Sequence, residues 1–528
     1  TDLRHAPRLI RPPLNDWRQA LTADGGRLSP PVTTGSGWKS TDEDCGYRMK
    51  NELSIEGRPF GTGMEDAGSR SLAALAEPYR IKVAEQIRLL SRPEREEVLA
   101  AAHYSGIHID AADVFIDLMT DSGTGAMSSE QWAALMRGDE SYFGSRSYQR
   151  FETVSREITG YPHIVPTHQG RAAEKIITEL LVRPGDVVLS NTHFDTTRGH
   201  ILHRQGVPVD CIGDWLWDFG DEREFKGNFD LKKLELALAR HHSRVPFILI
   251  TVLNNMACSS PVSMQNIREV KSLADRYGVK VMFDACRLAE NAYFIQQGEP
   301  EFSGVSIQDI VLEMFSYGDG CWMSAKKDAI VNIGGFCAFR DESLAMRAKE
   351  LLVLYEGYPT YGGLAGRDLE AMAVGLREGL DQEYLAHRIR QAAYLGRLIT
   401  EADVSVSRPV GGSGVFVDVR SIYPHLSAEQ LPTVAFAADM FLEGGVRVGG
   451  ALFPMKTVDI GSGNIVDRSF EFSRLAIPRR TYTQGHLEYV ADIVARVKSK
   501  ASENMGYRVT YMPETMGHFF VRFAPVAG

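Results

Sequence analysis

The chain lacks closely spaced cysteines. Its six (Cys45, Cys211, Cys258, Cys286, Cys321 and Cys337) are scattered, with no CxxC pair among them. That excludes a disulfide framework and a zinc site, and is the pattern of a reduced, cytoplasmic protein. No apolar run approaches the ~18 residues needed to span a bilayer, so a membrane is not an expected partner. The amino terminus, Thr1 to Pro13, has basic residues but no apolar segment of the secretory kind. Positive charge is not in excess either. A net charge of −10 and a pI near 5.8 argue against nucleic acid or an anionic membrane as the main partner. Internal repeats and low-complexity tracts are absent as well.

What is present is ordinary for a globular protein. The 528 residues, 44% hydrophobic and 24% charged, suffice for more than one domain and a large core. Residues 1–75, rich in Pro, Gly, Arg and Asp, read as an extension without a core of its own. From Ala76 the character changes, and Ile87, Leu89, Leu90 and Val98 suggest a surface helix from Glu85 to Ala101. Beyond Asp121 apolar runs alternate with amphipathic stretches, the pattern of α/β units around a sheet. Val187 to Ser190, Phe247 to Leu253, Val279 to Phe283 and Ile333 to Phe339 read as strands. A helix should end near Tyr277-Gly278, where Gly can cap it. Past Leu380 the sequence predicts a long amphipathic helix, a strand at Val415 to Val419 and a Gly-rich connection from Gly444 to Gly463. The expected division is 1–75 extension, 76–120 and 381–528 a small α+β domain, and 121–380 a large α/β domain with a mostly parallel sheet.

Three local features carry chemistry. Ser324-Ala-Lys-Lys-Asp328 holds two adjacent lysines, and an imine-forming lysine needs a neighbour that lowers its pKa. By itself the pair reads more readily as a solvated turn, but Ser324 stands three residues before Lys327, where a hydroxyl could hold a phosphate. Asp284 ends an apolar strand, where α/β sheets collect ligands. Its carboxylate suits a pyridinium nitrogen and equally suits a helix N-cap. Arg287 follows three residues later. Gln169-Gly170-Arg171 opens a helix, whose free N–H groups and positive end suit an anion.

With these features in place, the sequence resembles the tryptophanase and tyrosine phenol-lyase family from Ala76 to Phe519. The shared blocks are Leu118-Met-Thr-Asp-Ser-Gly-Thr-Gly-Ala-Met127, Thr167-His-Gln-Gly-Arg171, His193-Phe-Asp-Thr-Thr-Arg-Gly-His200, Met314-Phe-Ser-Tyr-Gly-Asp-Gly320 and Tyr361-Gly-Gly-Leu-Ala-Gly-Arg-Asp368. The resemblance implies a fold-type I large domain, pyridoxal phosphate as cofactor, and a homotetramer whose sites form between paired subunits. It implies Lys327 as the Schiff-base lysine, Asp284 as the ring-nitrogen partner and Phe194 as the stacked aromatic. Gln169, Gly170, Arg171 and Ser324 match the phosphate cradle, with Asn255 and Arg287 beside the ring oxygen. Arg474 matches the clamp for the substrate carboxylate, and Thr120 and Ser122 the loop lining the substrate. Tyr142 matches a tyrosine used in proton transfer. Glu140, with the carbonyls of Gly123 and Asn332, matches a site for K+ or NH4+.

Asp195 and His518 resemble tryptophanase, since phenol-lyases tend to carry Thr and Phe there. The phenol-binding arginine is also missing, with Ala451 in its place. Together Asp195 and His518 would polarise an indole N–H, although both also read as residues with structural partners only. Two stretches depart from the family. Its Gly-Gly-Gln is here Cys258-Ser259-Ser260, and its Val/Met-Glu pattern after Gly-Val-Arg becomes Val448-Gly449-Gly450-Ala451-Leu452-Phe453. The expected reaction is β-elimination of tryptophan, or a substituted tryptophan, to indole, pyruvate and ammonia. A Cβ–S lyase, a β-replacement enzyme and an inactive relative with a binding role are the alternatives.

Overall fold

The computed structural model describes residues 77–450, 455–458, 465–468, 471–514 and 517–526. The extension 1–75, Cys45 and Ala451 lie outside these. Seven strands form the large sheet, in the order His163–Thr167, Gly335–Phe339, Gly320–Ser324, Lys280–Asp284, Phe247–Thr251, Val187–Ser190, Val207–Asp210. Only Gly335–Phe339 runs against its neighbours. Every residue of Phe247–Thr251 is buried. Ile248 and Ile250 enter one core and Phe247 and Leu249 the other, the two-residue period of a strand covered on both faces.

Helices supply those covers, and their ends follow the sequence. Met264–Tyr277 begins at Ser263, whose hydroxyl accepts from the Asn266 N–H, and stops at Gly278 with φ +66°. The six strands that run the same way end at Thr167, Ser190, Asp210, Thr251, Asp284 and Ser324, so six polar side chains share one rim.

A second sheet has the order Ile116–Leu118, Val446–Gly450, Phe472–Ala476, Gly414–Asp418. Its core combines Ile116, Leu118, Val415, Val417, Val446 and Val448 with residues of the helices Pro432–Gly444 and Gln484–Lys500. Two expectations need correction here. The helix read from Glu85 starts only at Arg92, because Ser91 and Glu94 form a capping box and Pro93 sits in the first turn. The connection read from Gly444 to Gly463 contains the strand Val446–Gly450, paired with Ile116–Leu118, and then the strand Met455–Val458. No helix among the described residues is long and apolar enough to cross a membrane.

Candidate active site

The helix Gly170–Leu181 follows the strand His163–Thr167, with Gln169 at its N-cap. Gly170 has no room for a side chain, since a Cβ there would lie 2.5 Å from the Ser324 Cβ. That close approach sets the helix's free N–H groups beside the Ser324 hydroxyl. Arg171, Lys326 and Lys327 gather at the same place; burial and the charges of Lys327 and Arg171 lower the pKa of Lys326. One helix end, one hydroxyl and three cations suit a phosphate.

The other end of the site is acidic. Asp284 is buried, and one of its oxygens accepts the Cys286 N–H at 3.1 Å. The Cys286 sulfur in turn accepts the Ser324 N–H at 3.2 Å. The helix that Asp284 equally suited as an N-cap starts later, at Leu288, with Arg287 at the cap. Lys327 feels the charges of Glu174 and Cys286, the neighbours of Asp284. The Lys326 side chain instead runs past Gly123, whose Cβ would come within 3.3 Å of the Lys326 Cδ. Of the two lysines, Lys327 therefore faces the Asp284 end.

Glu174, which sequence reasoning missed, is buried one turn into the phosphate-side helix and accepts the Thr196 hydroxyl at 2.6 Å. Burial, reinforced by Asp284, pushes its carboxyl up to about 7 from an ordinary 4.5. The folded chain thus holds a proton that the unfolded chain releases between those values. The associated stability is present below the unfolded pKa and is lost as pH rises through about 7. Glu174→Gln should therefore gain stability relative to the parent as pH rises from about 5 to 8. Urea unfolding of the cofactor-free proteins at both pH values checks this; a pH-independent difference would contradict it.

Beneath Lys327 lies a buried ionic network that the sequence reading also missed. Arg479 donates to Asp121 (3.0 Å), Glu290 (2.7 Å) and Asp328 (2.9 Å). Arg287 grips both oxygens of Asp121, at 2.9 and 3.1 Å, and donates to the Leu253 carbonyl. Arg388 donates to Glu290 at 3.2 Å. Asp328, next to Lys327, also accepts the N–H groups of Ala289 and Glu290, which fixes the lysine's turn to the helix after Asp284. Burial would raise the carboxyl of Asp121, but Arg287, Arg479 and Arg474 outweigh that and hold it well below the usual range. Asp328 has less cationic help, so burial and Glu290 push it up to about 6.

The network also anchors the loop with Thr120 and Ser122. The Gly123 N–H donates to the Lys326 carbonyl (2.8 Å) and the Ala126 N–H to that of Arg479 (2.9 Å). Arg474 stands across the second sheet from Gly449, and its guanidinium donates to the Met119 carbonyl at 2.9 Å. Asp121, Arg287 and Asp195 are close enough to act on its charge. Phe194 caps the helix that Asp195 begins. The His518 ring lies tilted against Phe519, with centroids 4.2 Å apart, and the Arg171 guanidinium lies 5.9 Å from the Phe519 ring centroid. The last segment of the chain thus reaches the phosphate cradle. The His518 Nε2 is buried without a partner among the described residues.

Two expected residues stand elsewhere. Tyr142 is 56% exposed and packs on Phe143, Tyr358 and Tyr361. Glu140 accepts the N–H groups of Gly366 (2.8 Å) and Arg367 (3.1 Å) at a helix start. It is therefore occupied apart from Gly123 and Asn332, which touch through a 2.9 Å hydrogen bond. No cluster of three or more His, Cys, Asp or Glu among the described residues could hold a metal ion. A cavity of about 520 Å³, lined by Arg95, Phe115, Thr483, His486 and Tyr489 among others, borders none of the site residues.

A phosphate cradle, a buried carboxylate and a lysine facing it fit pyridoxal phosphate, on a fold-type I α/β framework. The family model for β-eliminating lyases matches residues 117–493. A tryptophanase from Salinibacter ruber is 46% identical over 86% of this chain and 96% of its own length. A tyrosine phenol-lyase from Pasteurella multocida is 44% identical over 86% and 99%. A probable β-eliminating lyase from Trichomonas vaginalis is 45% identical over 85% and 98%. The chain belongs to the β-eliminating lyases, pyridoxal-phosphate-dependent enzymes that act on amino acids.

Proposed function

We propose that the enzyme eliminates the aromatic side chain of L-tryptophan, or a ring-substituted tryptophan, releasing indole, pyruvate and ammonia. Overall identity does not choose the substrate, because tryptophanases and phenol-lyases match about equally well. One observation carries the choice. Asp195 comes close enough to act on Arg474, and His518 arrives on the segment that meets Arg171, which supports reading the pair as an acceptor and an imidazole for one substrate.

The bound cofactor supplies an electron sink for negative charge at the substrate Cα. The chain's residues do the rest. Gly170, Arg171 and Ser324 would hold the phosphate, Phe194 would cover the ring, and Asp284 would keep a proton on the ring nitrogen. Arg474 grips the substrate carboxylate with its fork. Lys327 removes the Cα proton. Asp195 and His518 hold the indole N–H while C3 takes a proton, which turns the ring into a leaving group.

Two further parts of the proposal need copies of the chain. The exposed cluster of Tyr142, Phe143 and Tyr358 suits a surface covered in a homotetramer, where Tyr142 would serve a neighbouring site. A monovalent cation, K+ or NH4+, is proposed at Glu140 and the Gly123 and Asn332 carbonyls. Since Glu140 caps a helix within its own chain, only an assembly would unite that set. A second substrate reading, a lyase for a Cβ–S bond or a β-replacement enzyme, is favoured by Gly449. It pairs with Arg474 yet has no side chain, within a stretch that departs from the family pattern.

His518→Phe decides between the readings. Turnover of tryptophan should fall ~10²-fold, the lower end of general acid–base contributions, and turnover of S-alkyl cysteines far less. A thiolate leaves without protonation of carbon, so it does not need the imidazole. Equal losses on both substrates would make His518 structural, and no activity on tryptophan in the parent would favour the second reading.

A further inference from the structure

The turn that carries Asn255 is strained. Cys258 and Ser259 both have positive φ, +53° and +51°, at the two positions where the family resemblance expects Gly-Gly. Side chains there cost backbone energy that glycine would not, so something must hold the turn. Cys258 is buried in a cluster with Phe219, Phe416 and Phe472, the last two from the second sheet. The Ser259 carbonyl accepts the Gly412 N–H at 3.1 Å. A Cβ on Gly411 would lie 2.2 Å from that carbonyl oxygen, so this connection lies flat against the turn.

The Ser259 hydroxyl does more than fill space. It makes a hydrogen bond with the hydroxyl of Ser413, at the start of the second sheet's strand Gly414–Asp418, and donates to the Asn255 Oδ1 at 3.4 Å. The Ser413 carbonyl accepts from Arg388, a member of the buried ionic network. With Ser259 donating to Asn255, the remaining hydroxyl bond must run from Ser413 to Ser259. The order Ser413, Ser259, Asn255 follows, and it turns the oxygen end of the Asn255 amide toward Ser259. The amide N–H2 of Asn255 is left as the group to offer to a ligand.

We propose that Ser259 is a positioning residue, through which the seating of the second sheet orients the Asn255 amide toward the cofactor. The inference rests on the reading of Asn255 as a neighbour of the cofactor's ring oxygen. An amide N–H2 held toward that oxygen stabilises its ionised form and lowers the pH midpoint of the bound cofactor's visible absorption. A family member with glycine at this position has no hydroxyl to do this, so the device belongs to this chain's Ser259.

The test is a spectral pH titration of the cofactor-saturated enzyme and its variants, without substrate. Ser259→Gly should relax the backbone and keep or raise the melting temperature. It should nevertheless raise the absorption midpoint by about half a pH unit, the size of one neutral hydrogen bond. Ser413→Ala should move the midpoint in the same direction. The double variant should move it no further than either alone, as expected for groups acting in series. An unchanged midpoint in both single variants, with the band intact, overturns the inference and leaves the lyase reading standing. Absence of the band from the parent enzyme overturns the reading of the cofactor site, and the inference with it.

Discussion

Lys327→Ala is expected to lower turnover by at least ~10³-fold and to abolish covalent retention of the cofactor. The effect is large because the proposed mechanism gives one amine two tasks: to bind the cofactor and then to take the Cα proton. Lys326→Ala should act differently. Its side chain runs past Gly123 toward Arg171, on the phosphate side, so its loss should weaken cofactor binding and cost turnover at saturating cofactor less than ~10-fold. Borohydride reduction followed by peptide mapping distinguishes the two directly. The label should sit on Lys327; a label on Lys326 would reverse the assignment.

Arg479→Met should be the most destabilising single change at the site, by ~3–5 kcal/mol, because it leaves buried carboxylates without their shared cation. Asp121, Glu290 and Asp328 would face one another with Arg287, Arg388 and Arg474 left to balance them. Methionine keeps much of the volume, so the loss reports charge rather than a cavity. Its pH dependence follows from the sign of the proton balance. In the parent, the depressed pKa of Asp121 contributes stability above the ordinary carboxylate range, which is lost as pH falls. Without Arg479 the three carboxyls bind protons more tightly in the folded state, and that contribution shrinks as pH rises. The difference between variant and parent should therefore grow from about pH 5 to pH 8 in urea unfolding. A loss below ~1 kcal/mol, or one that shrinks with pH, would contradict the buried network.

What was legible in the sequence was local. Gln169-Gly170-Arg171 announces a helix start within three residues, and the helix begins at Gly170. Asp284 and Ser324 close apolar runs, and both end strands. Gly278 stops its helix where expected because a left-handed cap needs no distant partner. The strand Val446–Gly450 escaped notice because its pattern, Val-Arg-Val-Gly-Gly, becomes a strand only beside Ile116–Leu118 from the far end of the chain. The ionic network was hidden for the same reason. Asp121 and Asp328 stand inside stretches that drew attention and Arg479 follows Arg474 by five residues, yet none declares its partners, and Arg479 and Asp121 are 358 residues apart. Glu174 looked like an ordinary helix residue, because burial beside Asp284 comes from tertiary packing alone.

The central claim, that this chain breaks the Cβ bond of an aromatic amino acid through Lys327, is tested most directly by product analysis. Cofactor-saturated enzyme in potassium buffer is incubated with L-tryptophan, and indole, pyruvate and ammonia are measured together by mass spectrometry and coupled assay. The three should appear in equal amounts with the parent and be absent with Lys327→Ala. No pyruvate from tryptophan or tyrosine would contradict the claim.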